Sequence, residues 1–192
     1  MHNKLQTKRE GQLVNLADWN VYTDWRLKPN AQQTTFADLY SDLTLRPRSW
    51  LTVDSLLRYD IQDGHMRMSV TTVSLHPKKS WSWTVGQVYL RDDLSASPTA
   101  LGPGNNLFTS SFLYRLNENW GLRASQYYNV LTGTLQQHDY SIYRDMRSWT
   151  GALTFLVRNN PGVPQDFTVA FTFWFKAYPL SGSGPEMGQL YY

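Results

Sequence analysis

The stretch DFTVAFTFWFKA, residues 166–177, decides how the chain is read. Phe167, Val169, Phe171, Phe173 and Phe175 recur at every second position. Thr168, Ala170, Thr172 and Lys176 fill the places between them, with Trp174 as the one large apolar exception. Successive side chains of a strand point to opposite faces, so as a strand this segment has one wholly apolar face. Wound as a helix, it would scatter the five apolar groups around its axis. The same period of two returns in residues 19–27, where Trp19, Val21, Thr23, Trp25 and Leu27 alternate with Asn20, Tyr22, Asp24 and Arg26. It returns again in 149–158, where Trp149, Leu153, Phe155 and Val157 oppose Thr150, Thr154 and Arg158.

Weaker alternation places further strands near 36–46, 51–60, 66–76, 81–91, 107–116, 120–130 and 136–144. In the first of these, Leu39, Leu43 and Leu45 oppose Asp38, Tyr40, Asp42 and Arg46. The pattern predicts about ten strands of about 9–11 residues, the length that a tilted bilayer crossing requires.

The connections alternate in character. Residues 47–50, 77–81, 117–120 and 146–149 are tight turns, and each closes on a tryptophan: Trp50, Trp81, Trp120 and Trp149. Residues 61–65, 92–105, 131–135 and 159–165 are generally longer and richer in Gly and Pro. Transmembrane barrels have short periplasmic turns and longer outer loops, which puts the four tryptophan turns on the periplasmic side. Indole is apolar with a single N–H donor and settles where lipid meets water, so these four residues are expected to form an arc of an aromatic girdle. Because turn chemistry changes with every strand, the repeating unit is a hairpin. The fold class is therefore all-β, an antiparallel, up-and-down transmembrane β-barrel segment. It divides into a polar N-terminal segment (1–12), a barrel region (13–179) and an irregular tail (180–192) rich in Gly, Ser and Pro.

Composition agrees. Aromatic residues make up 15% of the 192 residues, with 8 Trp and 12 Tyr, yet only 17% are charged. A soluble domain usually carries about a quarter charged residues. A helical membrane protein would show runs of about 20 apolar residues, and there are none. The competing arrangement is a soluble β-sandwich with tryptophans at its rim. Asn20, Asp24, Asp38, Asp42, Asp54, Arg58, Arg123 and Arg158 lie opposite the apolar positions, which a sandwich would accept. Its apolar faces, however, would have to interdigitate in one thin core, and so much aromatic bulk on nearly every strand is hard to fit there. Lipid accepts any shape. Trp19, Leu43, Val53, Phe155, Val169, Phe171 and Phe173 are accordingly expected to face lipid.

Several stretches carry a resemblance: LADWNVYTDW (16–25), YSDLTLRPRSWLTVDSLLRYD (40–60), NNLFTSSFLYRLNENWGLRASQYY (105–128), YRDMRSWTGALTF (143–155) and DFTVAFTFWFKAYP (166–179). Their order and number resemble the C-terminal region of the LPS-assembly protein family, LptD, over most of residues 13–179. The resemblance implies part of a very large barrel in the Gram-negative outer membrane. That barrel inserts lipopolysaccharide into the outer leaflet, with a plug lipoprotein (LptE-like) in its lumen and a lateral opening between first and last strands. Under it, residues 166–176 are the terminal strand, and Phe167, Ala170, Thr172 and Phe175 belong to the gate. Lipopolysaccharide and outer-membrane lipid are the implied partners. The chain departs from the family in lacking the N-terminal jelly roll, more than half of the barrel and the cysteines that some members use to join the two.

The first ten residues are polar and contain no apolar segment of a signal peptide, so a downstream piece of a longer protein is expected. Two outcomes are open for such a piece. The last strand pairs with the strand near 19–27 to close a small barrel, or the sheet stays open. Tilt and stagger set for a wider barrel favour the open sheet.

Catalytic material is scarce. With no cysteine, thiolate metal sites and disulfides are excluded. No cofactor, metal site or catalytic residue is expected, and the chain is not read as an enzyme. The rival is a small closed outer-membrane barrel: a porin, an adhesin or an omptin-like protease using His138 and Asp139, the only adjacent His–carboxylate pair. A lone His beside Asp in a loop is usually only solvated. Gly102-Pro103-Gly104 lacks the Lys-Ser/Thr and helix of a phosphate loop. Arg48, Lys78, Lys79 and Arg147 solvate the tight turns. With a net charge of +3 and no basic run, nothing points to nucleic acid.

Overall fold

The computed structural model describes residues 1–9, 11–29, 35–94, 100–159, 162 and 164–176. They form eleven strands: β1 (His2–Arg9), β2 (Gln12–Trp25), β3 (Phe36–Arg48), β4 (Leu51–Asp60), β5 (His65–Lys78), β6 (Trp81–Leu90), β7 (Asn105–Arg115), β8 (Trp120–Asn129), β9 (Thr134–Asp145), β10 (Trp149–Arg158) and β11 (Asp166–Phe175). They lie in one sheet in sequence order, and every neighbouring pair is antiparallel. No helix occurs among the described residues. The all-β, up-and-down reading of the sequence holds. Among the described residues no ladder joins β1 to β11, so the sheet is open, as a partial barrel is.

One strand was not foreseen. Within the polar segment 1–12, His2–Arg9 form β1, which pairs with β2 from His2↔Asn20 to Arg9↔Gln12. HNKLQTKR has no apolar alternation, so hydropathy is blind to it. The backbone ladder needs none, and on one face Asp18 receives His2 at 3.0 Å and Lys4 at 3.5 Å. For the same reason β2 begins at Gln12 rather than at residue 19. The expected tail, 180–192, lies outside the described residues.

Prolines shape one end of the sheet. Pro cannot donate to a ladder and is tolerated at bulges. Pairing between β3 and β4 shifts between Leu45 and Arg48, around Pro47. Pairing between β5 and β6 shifts in the same way between Leu75 and Lys78, around Pro77. Each bulge leads directly into a tight turn. A different bulge shapes the other end. Arg58 faces Met68 while Tyr59 faces Met66, so Arg67 is an extra residue with no partner position on β4.

Burial in this sheet is inverted relative to a soluble domain. Among the described residues, the buried polar ones are Asp38, Ser125, Asn129, Ser141 and Thr150, whereas Tyr143 and Ala152 are the buried apolar ones. Among the described residues no second layer covers the apolar face. Where the polar side closes up tightly, glycine is needed: a Cβ at Gly86 of β6 would lie 2.7 Å from Thr109 Oγ1 and 3.6 Å from the Thr71 carbonyl. Gly86→Val should therefore lower stability by about 1–3 kcal/mol through overpacking. A urea titration of the full-length protein folded into lipid vesicles measures this. An unchanged midpoint would show that the β5–β6–β7 contact relaxes freely.

Candidate functional site

Opposed residues in a ladder share a face, so the pairing register assigns every side chain to one side of the sheet. From β11, Phe167, Val169, Phe171, Phe173 and Phe175 carry the face to Val157, Phe155, Leu153, Gly151 and Trp149 of β10. It continues through Ile142 to Leu122 and Tyr114, through Trp81 and Trp83 to Leu75, and through Val53 to Leu45. Leu43 faces Trp19 at the far side. Trp19, Leu43, Val53, Phe155, Val169, Phe171 and Phe173 thus occupy one continuous apolar face. On β11 the five apolar side chains are 53–66% exposed.

Several polar groups on this face are satisfied by neighbours on the same face, which sequence reading did not detect. Trp19 Nε1–H donates to Ser41 Oγ on β3, and Trp83 Nε1–H donates to Ser110 Oγ on β7, both at 2.9 Å. Ser55 and Thr71 hydroxyls meet at 3.2 Å. The signal available in sequence was a serine among apolar positions of a neighbouring strand, which becomes legible only once the register is known.

The four tryptophans expected to form a girdle gather at one end. Trp81, Trp120 and Trp149 open β6, β8 and β10 on the apolar face, and Trp50 sits in the β3–β4 turn. The Arg144 guanidinium lies 5.0 Å from the Trp120 ring centroid, within cation–π range.

The opposite face is polar and closely paired. Thr44 donates to Asp54 at 2.7 Å, Thr150 donates to Asp145 at 2.8 Å, and the Ser141 and Thr154 hydroxyls meet at 2.8 Å. Towards the loop end these links grow into a charged network. Tyr22 stacks on Tyr40 with centroids 5.0 Å apart, and Arg58 lies 5.7 Å from the Tyr40 centroid. Arg58 donates to the buried Asp38 carboxylate, which also receives Arg67 at 3.3 Å. Arg67 in turn binds Asp93 in the β6–β7 connection. The extra residue of the β5 bulge is thus aimed into this network, a common use of a bulge.

Other candidates separate. His138 is on the apolar face, opposite Val157 and beside the Tyr140 ring, while Asp139 is on the polar face opposite Leu156. Neighbours on opposite faces cannot form a dyad, so this pair does not support the protease alternative. Gly102 closes a small bridge with Asp93 rather than preceding a helix. Asp60, Asp63 and His65 bring ligand atoms within 4.8 Å of one another, but Asp60 Oδ1 already accepts the backbone N–H of Gln62 and Asp63 and caps the turn. The four expected gate residues share β11 without converging: Phe167 and Phe175 are on the apolar face, Ala170 and Thr172 on the polar one.

A one-layer sheet with one exposed apolar side and one interlocked polar side is consistent with part of a membrane barrel wall. Residues 7–120 match the family described as LptD, LPS transport system D. The chain belongs to the LPS transport system D family. It therefore takes part in the transport of lipopolysaccharide to the outer membrane, with lipopolysaccharide as the substrate. No curated protein matches the chain.

The network at the loop end generates a prediction. Asp38→Ala leaves two largely buried guanidiniums beside each other without their shared carboxylate. Losing one partner of such a network costs about 3 kcal/mol. Urea unfolding of the full-length protein in vesicles should show that loss, and Asp38→Glu should recover part of it. Equal stability of wild type and Asp38→Ala would mean that Asp38 does not hold the network together.

Proposed function

We propose that this chain supplies the closing part of an outer-membrane translocon that inserts lipopolysaccharide into the outer leaflet through a lateral opening beside β11. In this reading the apolar face meets hydrocarbon, the tryptophan end is periplasmic, and the polar face lines a lumen that a plug lipoprotein occupies. The observation that carries the reading is the inverted burial of a single open sheet in a chain of this family. Hydrocarbon stabilises the exposed aromatic surface, while the Tyr–Arg–Asp network needs a polar surrounding or a polar partner.

The edge of the sheet supports the gate. The β10–β11 ladder runs without a shift from Trp149↔Phe175 to Arg158↔Asp166. The other edge of β11 has no partner strand among the described residues. Bare N–H and C=O groups are not tolerated in hydrocarbon, so the edge requires another strand of the full barrel. A pairing that can part there would let a lipid pass sideways with its acyl chains against the phenylalanines.

Two tests follow. Phe171→Arg near the bilayer midplane should cost about 2–4 kcal/mol, and Thr172→Arg, on the lumen side, much less. Folding titrations in lipid vesicles compare them, and equal costs would remove the assignment of the two faces. In the full-length protein, a cysteine at Ala170 cross-linked to one on the barrel's first strand should stop lipopolysaccharide reaching the cell surface. Surface labelling that persists despite complete cross-linking would exclude the seam as the exit.

A further inference from the structure

The girdle tryptophans do not stand alone: each has a cation beside it. Arg48 precedes Trp50 by two positions and Arg147 precedes Trp149 by two. Lys78 pairs across the hairpin with Trp81, and Arg144 pairs with Trp120. Arg46, Arg48, Lys78, Lys79, Arg144 and Arg147 are all exposed. In the β1–β2 hairpin at the same end, the Arg9 side chain donates to the Pro47 carbonyl at 2.8 Å. Acids are sparse here. Glu118 is the one acid in the described turns, and Asp145 is already held by Lys176 at 2.8 Å. The loop end is different, with Asp60, Asp63, Asp92, Asp93 and Asp166 mixed among Arg26, Lys28, Arg67, Arg91 and Arg158. The sheet therefore carries a predominantly basic collar at the tryptophan end and mixed charge at the loop end.

We infer that this collar is a binding surface for anionic phospholipid headgroups of the leaflet into which the tryptophans anchor, phosphatidylglycerol being the simplest example. The inference rests on the membrane-wall reading of the sheet. Its basis is the one-to-one placement. An indole sits at the boundary between acyl chains and headgroups, and a long basic side chain beside it reaches outward to the phosphate level. The turn cations lie on the β3–β4, β5–β6 and β9–β10 hairpins, and those of neighbouring hairpins, Arg48 and Lys78, are about 10 Å apart at two strand spacings. That spacing suits separate headgroups and not one compact polyphosphate. The bulges at Pro47 and Pro77 serve the collar as well, since each directly precedes a turn cation, Arg48 and Lys78.

The test uses the full-length protein in nanodiscs of phosphatidylcholine with a minor fraction of phosphatidylglycerol, and counts retained lipids by native mass spectrometry. One cation near an anionic lipid favours its retention roughly fivefold. The wild type should retain phosphatidylglycerol about that much above its share. The variant Arg48→Gln/Lys78→Gln/Lys79→Gln/Arg147→Gln should retain it at parity. At about 1 M salt, where charges are screened beyond about 3 Å, the wild type should fall to parity too, a result that does not depend on the variant folding. Equal preference in wild type and variant, or a preference that survives high salt, would overturn the inference. So would preferential retention of added lipid A over phosphatidylglycerol that the same substitutions abolish. Failure of the membrane-wall reading looks different: the wild type would then not enter pure phosphatidylcholine nanodiscs with its sheet intact.

Discussion

The structure depends on one constraint: every backbone N–H and C=O that crosses a bilayer must find its partner within the protein. An extended strand cannot satisfy its own groups, so each strand needs a neighbour on both sides. Strictly sequential antiparallel order meets that need with the shortest connections. The side chains are then free to be sorted by face alone. This sorting explains why the sheet has almost no apolar interior and why its aromatic residues are on display. It also explains why Trp19 and Trp83, which carry a donor into the apolar face, lie next to serines that accept it.

The polar face carries a second kind of cohesion. A single-layer wall lacks the packed core that makes soluble domains rigid. Here cross-strand hydroxyl, carboxylate and guanidinium contacts take its place. The run from Tyr22 through Tyr40, Arg58 and Asp38 to Arg67 ties four consecutive strands together near the loop end and reaches the β6–β7 connection through Asp93. These links are directional, so they resist shear between strands in a way that nonspecific apolar contact does not.

Much of this was legible in the sequence because alternation is a local signal. Residues 149–158 and 51–60 coincide with β10 and β4, and the seven residues expected to face lipid share one face. What escaped was decided by geometry between strands. β1 has no hydropathy signature and exists because β2 offers it an edge. The Asp38–Arg67 contact joins residues on strands that are not neighbours, through a bulge that one chain alone does not announce. His138 and Asp139 were adjacent in sequence and suggestive for that reason, yet adjacency along a strand places them on opposite sides.

The bulge at Arg67 has a consequence for how such chains vary. Alternation works like a reading frame with two phases, inside and outside. One supernumerary residue lets the loop end of β5 be read in the opposite phase from its middle. Deleting Arg67 would remove more than a charge. It would bring Met66 next to Met68 and restore plain alternation, so that His65 and Met66 stayed opposite Asp60 and Tyr59 while the strand straightened and the network lost its guanidinium. A deletion at the bulge is thus silent in phase, whereas one elsewhere along the strand is a frame change, and homologous walls are comparable only where the phase has been aligned along with the letters.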